Sequence, residues 1–431
     1  MKAINLNQVI DHFNQGKVGL RGQELRFWFV ERPSTPRDRM RMLLRRMREQ
    51  HQVAHLLLIG HRGCGKSTEL NKLIEEMQDD YLATTFNLME VTGRTAVGYE
   101  DVMLAMATQV MRFCIDQRLV QRPLADTLNE GWRGVRDWWL QVIAGSPVRP
   151  GSSDFSSFAA LNTLLGEIEV GVKQSSQTRE QILSQVNQQM PELLRWLNFV
   201  IAEAQVALNP KRLLIVVEGL DKVDLESARN VFRDHAPTLT SVRATMIFTF
   251  PIPLRYSDDY QQVRSAFDGK VHVLHNFAPH HADGKDDGAG RAQLRRLVLA
   301  RMEERLIAPD ALDYLIEATG GVLAHLVQMM QNAVLYALDR QADAARIELI
   351  DMQRAVRELR DELSVNLSRQ DWQILAARRR DRDPVLDAAT QLLFYKNVLI
   401  EYSNDRAWCD VHPALWGLLE HYAPQVADDD A

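Results

Sequence analysis

The stretch Leu56-Leu57-Leu58-Ile59-Gly60-His61-Arg62-Gly63-Cys64-Gly65-Lys66-Ser67-Thr68 constrains this chain more than any other feature. It satisfies G-x-x-x-x-G-K-[ST] between an apolar run and a helical pattern. Leu56 to Ile59 read as a buried strand, while Leu70, Leu73, Ile74 and Met77 recur at helical spacing. A strand that turns through glycines into a helix aims consecutive backbone N–H groups and a positive helix end at one point, where a phosphate chain binds. Gly60, Gly63 and Gly65 let the backbone wrap closely. The candidate cradle therefore runs from Gly60 to Thr68, with His61, Arg62 and Cys64 inside it. Lys66 is expected to direct its charge at the β- and γ-phosphates, and the Ser67 hydroxyl to enter a Mg²⁺ shell.

The second signal is Arg212-Leu213-Leu214-Ile215-Val216-Val217-Glu218-Gly219-Leu220-Asp221-Lys222-Val223-Asp224. Its unbroken apolar run suits a central parallel strand, with acids at the carboxyl end where open α/β sheets bind ligands. Glu218 is expected to complete the metal shell and Asp221 to orient water. Asp221 and Asp224 also suit helix caps. Asp221-Lys222-Val223-Asp224 has some likeness to the guanine-reading N-K-x-D sequence, but its first position is Asp and no D-x-x-G follows the glycine loop at a fitting distance. Guanine specificity is therefore not expected. A further strand, Ala244 to Pro251, places Thr249 at the same edge, as a γ-phosphate sensor, a water-positioning group or simply a good β-former. Arg233, Arg243, Arg255 and Arg264 are candidates to reach the phosphate of a neighbouring subunit in a homo-oligomer.

With 431 residues, 46% of them hydrophobic and 25% charged, the chain suits about two to four globular domains. A net charge of −6 argues against chain-wide nucleic-acid affinity, leaving only a local basic face. Cys64, Cys114 and Cys409 lie far apart, which suits reduced thiols. The N-terminus lacks a signal-peptide core and no apolar run approaches a membrane span, so a cytoplasmic protein without membrane contact is expected.

Residues 1–50 are expected to form an N-terminal segment on the nucleotide site, with an aromatic run at Phe27 to Val30. Its basic helix, bearing Arg39, Arg45, Arg46 and Arg48, reads as a solvated face or as nucleic-acid contacts. The nucleotide-binding core spans 51–283, with a strand at Tyr81 to Leu88 and a helix at Tyr99 to Cys114. An insertion at about 118–180 carries Trp132, Trp138 and Trp139 and a loose segment from Gly145 to Ser157. Ile168, Val170 and Val172 alternate with Glu167, Glu169 and Lys173, which predicts a short two-faced strand. The insertion could bind a protein partner or serve as scaffold. A helix is expected over 190–207. His272, His275, His280 and His281 lack metal-ligand spacing and read as a solvated loop. Beyond a linker at Gly284 to Arg291, residues 290–360 read as a helical lid. Residues 361–425 read as helix, helix, hairpin, helix, a winged helix. Its DNA-reading helix would run from Val385 to Phe394, and Arg378, Arg379 and Arg380 could grip phosphates; protein packing alone fits equally well. Residues 426–431 are an acidic tail, expected to be disordered.

This arrangement resembles bacterial ATPases of the AAA+ and STAND group, particularly those built like origin-recognition initiators: a P-loop parallel α/β sheet, a helical lid and a C-terminal winged helix. Gly60 to Leu70, Val216 to Lys222 and Ile247 to Ile252 carry the likeness, extended by Gly320-Gly321-Val322-Leu323 and His412-Pro413. The resemblance implies ATP and Mg²⁺ as cofactors, hydrolysis that is slow or triggered by assembly, and use as a conformational switch in DNA transactions or anti-phage defence. Three positions depart from it. Glu218 stands where the family prefers Asp, Gly219 replaces an adjacent catalytic Glu, and Ala324 and His325 lie where a lid arginine is common. A nucleotide-gated DNA-binding protein and a catalytically weak pseudo-ATPase scaffold are the alternatives.

Overall fold

The computed structural model describes residues 2–14, 19–32, 35–119, 130–144, 157–174, 176–384, 387–404 and 406–422. Most of the loose segment (145–156), Val385 and the acidic tail lie outside them.

Strands β1 (His55–Gly60), β2 (Tyr81–Asn87), β3 (Arg212–Glu218), β4 (Thr245–Pro251) and β5 (Val271–Val273) form one sheet in the order β2-β3-β4-β1-β5. All its pairings are parallel. Such strands need apolar side chains on both faces, and the residues divide accordingly. Leu57, Ile59, Ile215, Val217, Phe248 and Phe250 enter one core. Leu56, Leu58, Leu214, Val216 and Ile247 enter the other, with Met40 and Leu44 from helix Arg37–Glu49. Because β4 lies between β1 and β3, the glycine loop after β1, the acids after β3 and Thr249 near the end of β4 converge at one edge.

The described part of the insertion is helical. Ile168 and Val172 belong to helix Phe158–Gln174, not to a strand. Leu161, Leu164, Leu165, Ile168 and Val172 are buried at helical spacing, whereas Val170 is exposed. A short alternating window fits both periods, and the longer pattern decides for the helix. Trp132, Val135 and Trp139 of helix Glu130–Ile143 are fully buried, so this region shares the main core.

Helices Gly288–Leu299, Pro309–Ala318, Leu323–Arg340 and Leu349–Ser364 build the lid. Helix Leu6–Asn14 adds Leu6, Val9 and Phe13 to the lid's core. Leu20 lies on the phosphate-loop helix Lys66–Glu76, where its N–H donates to Thr68 Oγ1 at 3.1 Å. The N-terminal segment thus ties lid to sheet. Arg39, Arg45 and Arg46 of helix Arg37–Glu49 are exposed, as a solvated face requires, while Arg37 pairs with Glu69 at 2.9 Å, Arg41 with Glu76 at 2.7 Å and Arg48 with Asp80 at 3.1 Å.

The C-terminal part comprises helices Arg369–Asp381 and Ala388–Tyr395, the antiparallel pair β6 (Leu399–Ser403) and β7 (Ala407–Val411), and helix Trp416–Tyr422. Ser368 and Asp387 cap the first two helices, each accepting a backbone N–H three residues on. The fold is a P-loop NTPase sheet with a helical lid and a C-terminal winged helix. Among the described residues, no helix is long and apolar enough to cross a membrane.

Candidate nucleotide site

The glycine loop is held from several sides. Gly63 adopts φ +76° against the lid, and an added Cβ would collide with that of Ala324. Ala324 N–H donates to the Gly63 carbonyl at 3.1 Å, so the start of lid helix Leu323–Arg340 rests on the loop. The buried Arg32 donates to the Cys64 carbonyl and, at 2.8 Å, to that of His275, with Glu69 3.3 Å away. Cys64 is fully buried.

Lys66 Nζ lies 2.8 Å from Asp221 Oδ2 and donates to the carbonyls of Gly60 and His61 at 2.8 and 2.7 Å. Burial works against both charges, but each outweighs that cost for the other. The ammonium is raised above its usual range and the carboxyl lowered below its own, each chiefly by the charge of the other, while the buried Thr249 Oγ1 has no hydrogen-bond partner. Ser67 Oγ donates to Glu218 Oε2. Burial pushes the Glu218 carboxyl up despite that bond. Gly219 has φ +88°, and a Cβ there would strike Asn87 Oδ1, which excludes an acid directly after Glu218.

A cavity of about 690 Å³ joins these groups. Ser67, Glu218, Asp221 and Thr249 line its sheet edge, whereas Arg21, Arg301 and Gln331 come from the N-terminal segment and lid. Its volume and mixed polarity suit a nucleotide. The Ser67 hydroxyl and Glu218 carboxylate suit a hard cation such as Mg²⁺, which takes one or two protein oxygens and completes its shell from phosphate and water. No group of three or more His, Cys, Asp or Glu that could hold a metal occurs among the described residues.

The winged helix touches the back of the same loop. His61 Nε2 accepts the Glu401 N–H at 2.8 Å, and its Nδ1 lies 3.3 Å from Asn397 Oδ1. These partners define a neutral ring protonated at Nδ1, and burial takes its pKa down to about 3. Asn397 Nδ2 donates to the Arg62 carbonyl at 3.1 Å. Arg62 stacks 5.0 Å from the Tyr395 ring and donates to the Lys222 carbonyl at 2.9 Å. Tyr395 also donates to Lys222, and the buried Glu401 pairs with Arg255.

The structure therefore brings Lys66, Ser67, Glu218, Asp221 and Thr249 together, with Gly63, Gly65 and Thr68 on the cavity wall. His61 and Arg62 instead face the winged helix. Asp224 caps helix Leu225–Arg229, accepting Ser227 N–H at 2.8 Å, and does not line the cavity. Arg255 is taken by Glu401 and Arg233 by Asp234 and Asp259, while Arg243 and Arg264 are exposed. The histidines are not a solvated loop: His272 lies in β5, His275 is 3.4 Å from Glu401, and His280 bonds Glu317 at 2.6 Å. The expected DNA-reading helix, Ala388–Tyr395, packs on the core, where Gln391 donates to the Tyr256 carbonyl at 2.9 Å. Arg378 pairs with Asp381 and Arg379 with Asp410, leaving Arg380 exposed. Sequence reasoning missed Asn397, Glu401 and Arg301. An acid between Ile400 and Tyr402 in an apolar strand was the available signal for Glu401.

Neither a protein-family model nor a curated protein matches the chain. Solved structures similar to it include Cdc6p from Pyrobaculum aerophilum, at 12% identity and TM-score 0.39, covering 90% of this chain and 92% of that one. Drosophila ORC bound to DNA is similar at 12% identity and TM-score 0.40, covering 99% of this chain and 92% of the other.

Proposed function

We propose that the chain is an ATP-binding switch of the AAA+ and STAND kind, hydrolysing slowly or on assembly, whose nucleotide state sets the position of its winged helix. The observation that carries this reading is the shared loop. His61 and Arg62, inside the phosphate-binding sequence, bond Asn397, Glu401 and Tyr395 of the winged helix. A phosphate chain entering from the cavity side reorders the backbone that holds these contacts.

In this reading Lys66 leaves Asp221 for the β- and γ-phosphates, and the freed carboxylate, with Thr249, orients the attacking water. Ser67 and Glu218 hold Mg²⁺, which neutralises phosphate charge. The exposed Arg243 and Arg264 remain available to a neighbouring copy in a homo-oligomer. DNA or a protein partner gains access to helix Ala388–Tyr395 only after the winged helix is released. Roles in DNA transactions or anti-phage defence both suit such a device.

The test is ATP binding and turnover by wild type and Lys66→Ala, with and without DNA, alongside the mass of the assembly. Lys66-dependent binding, with turnover that rises on assembly, supports the switch. Absence of Lys66-dependent binding overturns it. A scaffold without turnover is the second reading, favoured by Gly219 and Ala324, where catalytic side chains are missing. ATP binding with no turnover under any condition selects it.

A further inference from the structure

Arg301 follows helix Gly288–Leu299 of the lid and is 7% exposed. Its guanidinium lies 5.6 Å from the Phe13 ring and 5.7 Å from the Trp28 ring. Nη1 donates to the Leu297 carbonyl at 2.8 Å, while Nε is buried without a partner. Burial lowers its pKa to about 10, against the opposing influence of Glu24. Among the described residues no carboxylate forms an ion pair with this desolvated cation, so the part of the guanidinium that lines the cavity calls for another acceptor. This side chain lines the cavity that contains Lys66 and Ser67.

Its place within that cavity follows from the lid helix. Ala324 sits against Gly63, at the phosphate end. Gln331 lies two turns further along, about 10 Å at 1.5 Å per residue, and bonds Asn14 at 2.8 Å. Asn14 adjoins Phe13, the ring beside Arg301. A nucleotide with its triphosphate on the glycine loop would reach this end with its base and ribose if it followed the lid helix.

We propose that Arg301 is a base-recognition residue, donating from its guanidinium to ring-nitrogen acceptors of a bound purine. The inference rests on the nucleotide-binding reading of the cavity. A guanidinium offers only donors, so it selects an acceptor edge, and contact with the Phe13 and Trp28 rings restricts its direction.

The experiment titrates wild type, Arg301→Gln and Arg301→Lys with Mg·ATP, Mg·7-deaza-ATP and Mg·tripolyphosphate, the last lacking base and ribose. Nucleotide-free melting temperatures check that each variant is folded. The expected result is a loss of ATP affinity of about tenfold or more in Arg301→Gln, the scale of one charged hydrogen bond. Tripolyphosphate affinity stays unchanged, and the gap between wild type and variant narrows with 7-deaza-ATP, which lacks one ring-nitrogen acceptor. Arg301→Lys keeps the charge but not the fork, loses ATP affinity to a smaller extent, and carries the test if Arg301→Gln does not fold. Equal losses for ATP and tripolyphosphate, or no loss for either, overturn the proposal. If wild type binds tripolyphosphate through Lys66 but ATP no more tightly, base recognition fails while the phosphate site stands. If wild type binds none of the probes, the nucleotide reading itself fails.

Discussion

The Lys66 ammonium stands 2.8 Å from the Asp221 carboxylate, with the two side chains only 5% and 4% exposed. The residue that would grip phosphate is thus neutralised by the residue that would orient water. In the proposed switch, nucleotide that drew Lys66 away would free Asp221 and so couple binding to preparation for chemistry. Asp221→Asn removes the competing anion. It is expected to tighten ATP binding severalfold and to lower turnover by about 100-fold, the scale of a lost general-base contact. The nucleotide-free protein should lose about 3 kcal/mol, because a buried cation is left without its anion. Calorimetric titration, phosphate release and urea unfolding read these effects separately.

Gly219 closes the position beside Glu218 to other residues. Gly219→Ala must hold φ near +88° and push against Asn87 Oδ1, so a loss of about 1–3 kcal/mol is expected. Asn87→Ala removes the colliding atom and also its cap on the Met89 N–H, so the double variant should lose less than the sum of the two single losses. Thermal unfolding of the single and double variants decides.

Asn397 joins the winged helix to the loop from a left-handed conformation, φ +56°. Asn397→Gly keeps that backbone and deletes both side-chain bonds. Hydrogen exchange over Ala388–Tyr395 should speed up by about tenfold, the equivalent of one or two modest hydrogen bonds. Unchanged protection would place the docking energy elsewhere.

Acid should loosen the same joint. Burial holds His61 at about 3 and His325 at about 4, both below the free-histidine value. Between about pH 6.5 and those values the unfolded chain carries protons that the native chain does not, so stability rises with pH and is lost on acidification. One such histidine contributes at most about 1.4 kcal/mol per pH unit. Glu401 and Asp410, raised by burial, act in the opposite sense above the normal carboxyl range. Comparing wild type with His61→Gln removes that background. The variant's stability should fall less steeply from pH 6.5 to pH 4.5 in chemical unfolding.

The sheet was legible because its signals are local. The runs in β1 and β3 are continuous, and the glycine loop and following acids have fixed positions relative to their strands. The helix through Ile168 was misread because five alternating residues cannot separate a period of 2 from one of 3.6. His61, Arg62 and Arg301 depended on partners far along the chain. His61 meets Asn397, 336 positions away, and Arg301 meets Phe13 and Trp28 across the lid. No spacing rule in one sequence contains such pairings. The basic arginine run was ambiguous for a similar reason: its partners Glu69, Glu76 and Asp80 lie beyond the first strand.

Hydrogen exchange at Glu401 and over Ala388–Tyr395, with and without Mg·ATP, reads the link between loop and winged helix directly. The Glu401 amide is the donor to His61, so it reports that contact itself. In wild type, saturating ATP should change protection there by about tenfold or more, and Lys66→Ala should show no change. Nucleotide bound through Lys66 with this segment's exchange unaltered would contradict the switch.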